Sequence, residues 1–240
     1  MKHFLKYSSF LLLLGGLATQ LPAANITINN PSFEADVLSC APGCSTDDSL
    51  TDWTGTVNSA THFGAYKPGT NSYPGGVPNG VNVAFLLEDG PSVSISQTLS
   101  ATVQANDTYT LSLDAGLRND TNVYNPGLGC YGASAALEAG GTILASYTTC
   151  PAVTGTFIPW TVTYSSGSNP AELGAPLEIV LTAIGSGSPY EPAEIDFDNL
   201  SLSDTLGSGP PNAAAPEPAS FVLLGTGLAG LLFARRSRKA

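Results

Sequence analysis

Thr108-Tyr109-Thr110-Leu111-Ser112-Leu113-Asp114 alternates polar and apolar side chains without a break. A period of two places Tyr109, Leu111 and Leu113 on one face of a strand and the hydroxyls on the other, the pattern of an antiparallel sheet with one face buried and one wet. The same reading holds for Ser92 to Leu99, and Val81 to Leu87 is a short apolar run with the bounds of a strand. Ala133 to Glu138, Thr142 to Tyr147, Phe157 to Tyr164, Leu177 to Ile184 and Ile195 to Leu202 continue the series, each bounded by Gly, Pro, Asn or Asp. Between the two ends of the chain no helical period of comparable length competes. Eight to ten antiparallel strands in one domain imply an all-β fold, an antiparallel β-sandwich of the jelly-roll kind.

The two ends read differently. Lys2 and Lys6 precede the apolar run Phe10 to Leu17, and small residues follow at Ala23-Ala24, the order of a secretory signal peptide cleaved after Ala24. At the other end Phe221 to Ala234 carries no charge and runs into Arg235-Arg236-Ser237-Arg238-Lys239. Such a segment spans a membrane as a helix with its basic tail on the cytoplasmic side. The sequence therefore divides into a signal peptide over 1–24, a sandwich domain over 25–203, a Gly/Pro/Ala-rich stalk over 204–215 and a C-terminal segment over 216–240.

Between Asn25 and Ala215 the only basic residues are Lys67 and Arg118, whereas every acidic residue of the 19 except Glu217 lies there, so 18 acids face 2 bases and the formal charge of this part is -16. A field of that sign repels nucleic acid and attracts divalent cations. Four cysteines in a chain bound for an oxidising compartment are expected to form disulfides. Three pairings are possible; Cys40 with Cys44, across the Ala41-Pro42-Gly43 turn, and Cys130 with Cys150, across a hairpin, close the shortest loops. Paired C-x2-C units of a zinc site are absent.

Pro216-Glu217-Pro218, the glycine-containing apolar segment and the arginine cluster headed by Arg235 and Arg236 together resemble the PEP-CTERM sorting signal of Gram-negative, exopolysaccharide-producing bacteria. The resemblance implies export, a transient inner-membrane anchor, recognition by an exosortase-type membrane protease and delivery to the cell surface or extracellular matrix, with exopolysaccharide as a possible partner. A second resemblance lies at the ends of the domain. Asn30-Pro31-Ser32-Phe33-Glu34, Trp53-Thr54 and the closing Ile195-Asp196-Phe197-Asp198-Asn199-Leu200 are similar to carbohydrate-binding modules with a galactose-binding-like jelly roll. It implies a structural Ca2+ held by Glu34 and Asp198, with Asp196 on the same strand face as a helper.

Sugar sites combine aromatic platforms with planar polar groups. The loop from Ala60 to Gly80 supplies His62, Tyr66 and Tyr73, and the loop after Leu117 supplies Arg118 and Tyr124, so these five are the candidate ligand-binding residues. No G-x-S-x-G, no H-E-x-x-H and no phosphate-cradling loop occurs, and His62 is the only histidine of the exported part. The expectation is accordingly a non-catalytic surface protein with a glycan-binding sandwich. A structural matrix protein without a small ligand is the alternative, and a glycoside hydrolase built on an unmarked carboxylate pair is a distant third.

Overall fold

The computed structural model describes residues 23–57, 61–119, 130–188 and 192–206. The signal peptide, the stalk and the C-terminal helix expected from sequence lie outside these residues. Among the described residues all twelve elements are strands: β1 (Ala24–Ile26), β2 (Cys44–Ser45), β3 (Thr54–Thr56), β4 (Thr61–Lys67), β5 (Val83–Asp89), β6 (Val93–Thr102), β7 (Asp107–Leu117), β8 (Ala133–Ala139), β9 (Thr142–Thr149), β10 (Thr156–Ser165), β11 (Pro176–Ala183) and β12 (Pro192–Leu206). They form two antiparallel sheets. The larger runs β10-β7-β12-β5-β4-β2 with β1 added beside β12, and the smaller runs β3-β6-β11-β8-β9.

The core lies between the sheets and follows the alternation read from the sequence. Leu111, Leu113 and Ala115 of β7 meet Ile195 and Phe197 of β12 and Ala84 and Leu86 of β5, and Ile179, Leu181, Ile95 and Leu137 face them from the smaller sheet. Trp160 touches Phe197 and Tyr147 edge-on, with ring centroids at 5.9 and 5.2 Å. Both expected disulfides are present, with Cα separations of 6.3 Å for Cys40–Cys44 and 5.6 Å for Cys130–Cys150.

The opening Asn-x-x-Phe-Glu segment is a folded corner. Asn30 Oδ1 accepts from the Ala35 amide, the Asn30 carbonyl accepts from Phe33 N and Trp53 Nε1, and Phe33 is fully buried 5.6 Å from the Trp53 ring. Phe33 adopts φ 61°, a left-handed conformation that costs a bulky residue free energy, here offset by burial of the ring.

One irregularity positions the site. Along β12 the register with β7 slips between Asp198 and Ser201, where Asn199 sits at φ 57°. A bulge of one extra residue exchanges the two faces of a strand. Before it the even positions Glu194, Asp196 and Asp198 point away from the core; after it the odd positions Ser201 and Ser203 do, while Leu200 and Leu202 enter the core. The bulge also marks where β12 stops pairing with β5 and the Leu200 amide donates to the Pro31 carbonyl, just before β1 takes over that edge.

Candidate functional site

The outer face of the larger sheet is not uniformly wet. Tyr66 of β4 and Val83, Phe85 and Leu87 of β5 form a second buried apolar cluster, with Val77 and Phe157 packed against it. The apolar run in β5 is therefore explained: both its faces are covered. Beside this cluster, on β12, Asp196 is fully buried. Its Oδ2 accepts from the Tyr73 hydroxyl at 2.7 Å and from Arg118 Nε at 3.2 Å. Arg118 Nη2 also pairs with Glu194 Oε1, and its guanidinium lies 3.7 Å above the centroid of the Tyr66 ring. A planar cation can stack on an aromatic face while donating from its edge, which is why an arginine fits here and a lysine would not.

The layer above the carboxylate is closely fitted. Tyr73 packs on Phe157 with centroids 4.4 Å apart. A Cβ at Gly116 would lie 2.9 Å from both the Phe157 ring and the Tyr73 hydroxyl, so glycine at this point of β7 is what lets the two aromatic rings close over Asp196. An open cleft of about 500 Å3 adjoins them, lined by Pro74 to Pro78, Asp114, Asn119, Thr154 to Thr156 and Phe157.

A second carboxylate group lies one step down β12. Asp198 is fully buried, pairs in register with Asp114, and accepts from the Asn79 amide at 2.8 Å and the Asn199 amide at 2.6 Å. Burial pushes its carboxyl up to about 7; the two amides oppose the rise, and the charges of Glu34 and Asp114 add to it. Glu34 Oε1 accepts from the amides of Val81 and Asn82, each at 2.7 Å. Glu34 and Asp198 thus grip one loop, residues 79–82, from the two ends of the domain. Asn82 Oδ1 is buried there with no hydrogen-bond partner among the described residues. Oxygen ligands of this kind, with surplus negative charge and an unused amide oxygen, suit a hard divalent cation.

Of the five ligand-binding candidates, Tyr73 and Arg118 contact Asp196, Tyr66 joins them through the Arg118 guanidinium stacked on its ring, and Tyr124 lies outside the described residues. His62 points elsewhere: its Nδ1 faces Asp48 at 3.1 Å and Asp47 at 3.4 Å. Of the three metal candidates, Glu34 and Asp198 sit at the same loop, while the contacts of Asp196 are with Tyr73 and Arg118. Sequence reasoning passed over Glu194, Asp114 and Phe157. Glu194 shares the even-numbered parity of Asp196 and Asp198, a signal that was there to be read; Phe157 and Asp114 were brought in by strand order.

The family model for HpiC1 cyclase-like proteins matches residues 24–203, and that for the PEP-CTERM protein-sorting motif matches residues 214–239. The motif implies processing by exosortase and indicates export and sorting to the cell surface through a C-terminal anchor. No curated protein sequence matches the chain. The Stig cyclase Fisc from Fischerella sp. TAU, in complex with (3Z)-3-(1-methyl-2-pyrrolidinylidene)-3H-indole, is 26% identical with a TM-score of 0.69 and covers 78% of this chain and 100% of its own. A cyclase from Fischerella sp. TAU in complex with 4-(1H-indol-3-yl)butan-2-one is 25% identical, at TM-score 0.65 and the same coverage. A carbohydrate-binding module in complex with beta-1,4-galactotriose has 14% identity and a TM-score of 0.45, covering 75% of this chain and 98% of its own. The expectation of a protein without catalytic character is overturned by the first of these findings. It rested on absent triad and zinc motifs, and a carboxylate site assembled from β12, a loop tyrosine and one arginine has no such motif to show. With three quarters of its length matched, the chain belongs to the HpiC1 cyclase-like family.

Proposed function

We propose that this exported protein is a cyclase-type enzyme acting on an apolar, ring-bearing molecule at the outer face of its larger sheet. The observation that carries this reading is the Asp196 carboxylate, buried beside an aromatic wall and fixed by Tyr73 and Arg118. A carboxylate in water-poor surroundings can take a proton from a carbon skeleton and hand it back, and the two hydrogen bonds from Tyr73 and Arg118 hold its Oδ2 in place. Phe157 lines the cleft and offers flat apolar surface for a fused ring, with the buried cluster of Tyr66 and Phe85 behind it. Tyr73 and Arg118 lie over the carboxylate next to the open cleft, so a ligand entering from the cleft reaches Asp196 by displacing the Tyr73 ring. The indole ligands of the Fischerella cyclases support this choice of substrate class.

Titration calorimetry with 4-(1H-indol-3-yl)butan-2-one tests it. Saturable binding is expected, weakened in Tyr66→Ala and altered in Asp196→Asn, with circular dichroism confirming that both variants fold. Absence of any saturable heat in the wild-type protein rejects an aromatic-binding site on this face.

The open cleft favours a second reading, glycan binding, because Asp114, Asn119, Thr154 and Thr156 surround one aromatic ring, Phe157. Neutral oligosaccharides and the host exopolysaccharide are the probes, and Phe157→Ala should abolish their binding. A structural Ca2+ held by Glu34, Asp198 and Asn82 Oδ1 is compatible with either reading, since it would brace loop 79–82 beside the cleft rather than touch Asp196.

A further inference from the structure

We propose that the ring-bearing ligand of this site is a cation, an arylalkylamine whose ammonium group pairs with the Asp114 carboxylate in the cleft. This rests on the cyclase reading of the Asp196 site and adds to it the charge of the substrate. Asp114 is the acid among the residues that line the cleft, Phe157 is the aromatic ring, and no lysine or arginine stands with them. Their spacing follows from register. On β7, Asp114 lies between Pro159 of β10 and Asp198 of β12, and Gly116, two residues on, lies between Phe157 and Asp196. Residues two apart share a face of a strand and stand about 6–7 Å from one another along it. A fused ring that takes the place of Tyr73 on Phe157 therefore has the Asp114 carboxylate one step along the strand. A two-carbon arm between ring and nitrogen covers that span.

The charge of the face selects the sign of the ligand. Glu34, Asp114, Glu194, Asp196 and Asp198 gather around the site, and Arg118 meets them with a single positive charge. That charge is offset by Glu194 and Asp196 before any ligand arrives. An anion entering the cleft is repelled by the carboxylates left over, whereas an ammonium group is drawn in and exchanges water for a charge-assisted hydrogen bond.

Asp114 is also held in place for this role. Its Oδ2 accepts from Asn199 Nδ2 at 2.9 Å, and Asn199 stands at the β12 bulge, so the irregularity that turns the strand over also steadies the acceptor. Glu34 and Asp198, by contrast, spend oxygens on the amides of loop 79–82. The negative face of the Phe157 ring favours a cation near it as well.

The test is titration calorimetry of the mature exported protein in millimolar calcium, so that any cation held by Glu34 and Asp198 is in place, with tryptamine, tryptophol and indoleacetate as probes. All three carry an indole; their side chains end in an ammonium, a neutral hydroxyl and a carboxylate. The expected order of affinity is tryptamine, tryptophol, indoleacetate, with roughly tenfold or more between the first two at low salt. Sodium chloride should shrink that gap, because screening acts on the charged probe. Asp114→Asn keeps the shape of the side chain and an acceptor for Asn199, and should bring tryptamine to within about twofold of tryptophol. Glu178→Gln removes one charge from the other sheet and should preserve the gap, which separates a local pair from the general field. Tryptophol that binds the wild-type protein as tightly as tryptamine overturns the proposal and leaves the aromatic site standing. So does a gap that survives Asp114→Asn or is lost equally in Glu178→Gln. No saturable heat from any of the three probes rejects the proposal and the aromatic site together. Tryptamine binding that needs Asp114 yet ignores Asp196→Asn supports the amine site and detaches the cyclase reading from it.

Discussion

At the scale of single residues, Arg118 decides the electrostatics of the site. It is one of two basic side chains on an exported part of charge -16, and it is spent on a buried position, against Asp196, Glu194 and the ring of Tyr66. Removing one member of a buried ion pair strands the other's charge, so Arg118→Met should lower unfolding free energy by on the order of 3–5 kcal/mol in urea titrations. A loss under 1 kcal/mol would mean that water reaches the two carboxylates. Gly116 is the other decisive position. Gly116→Ala puts a methyl against Phe157 and the Tyr73 hydroxyl, so Tyr73 must leave Asp196. The expected result is a fall in stability of about 1–3 kcal/mol together with loss of indole binding, and unchanged binding in this variant would separate Tyr73 from the site.

At the scale of elements, sheet register accounts for a repulsion that no local pattern reveals. Glu138 of β8 and Glu178 of β11 stand directly opposite one another. Burial, and secondarily the facing Glu178 charge, raises the Glu138 carboxyl above the usual range. A carboxyl raised in the folded state favours folding while protonated, so its contribution is complete below the unfolded value of about 4.3 and is lost as pH rises through the folded value. Glu178→Gln should therefore stabilise the protein near pH 7 by about 0.2–1 kcal/mol, with the gain disappearing in acid; thermal unfolding at pH 7 and pH 3 measures both arms. A gain that survived at pH 3 would point to packing instead of charge. The β12 bulge works in the opposite sense, as a device, because it aims three consecutive outward positions at the site before turning the strand over.

At the scale of the whole molecule, the first and last segments of the domain are joined through loop 79–82, which Glu34 and Asp198 both hold. If Ca2+ is bound there, millimolar calcium should raise the unfolding midpoint relative to EDTA, the gain in unfolding free energy being about 2.7 kcal/mol at a hundred times the dissociation constant, and Asp198→Asn should abolish the response. Magnesium of equal effect would show general neutralisation of the acidic surface instead. If the C-terminal tag is processed as its motif implies, mature protein from the host should lack Phe221 to Ala240 by mass spectrometry, and tails intact in all of it would contradict this. By itself the sequence determined the features that depend on near neighbours along the chain. Strand alternation gave the two-layer all-β fold, short loops between cysteines gave both disulfides, and the clustered end motifs gave export and sorting. Only the tertiary structure decided the chemistry. Asp196 meets Tyr73 across more than a hundred residues and Arg118 from a third segment, and sequence carries no term for which strands become neighbours in a sheet.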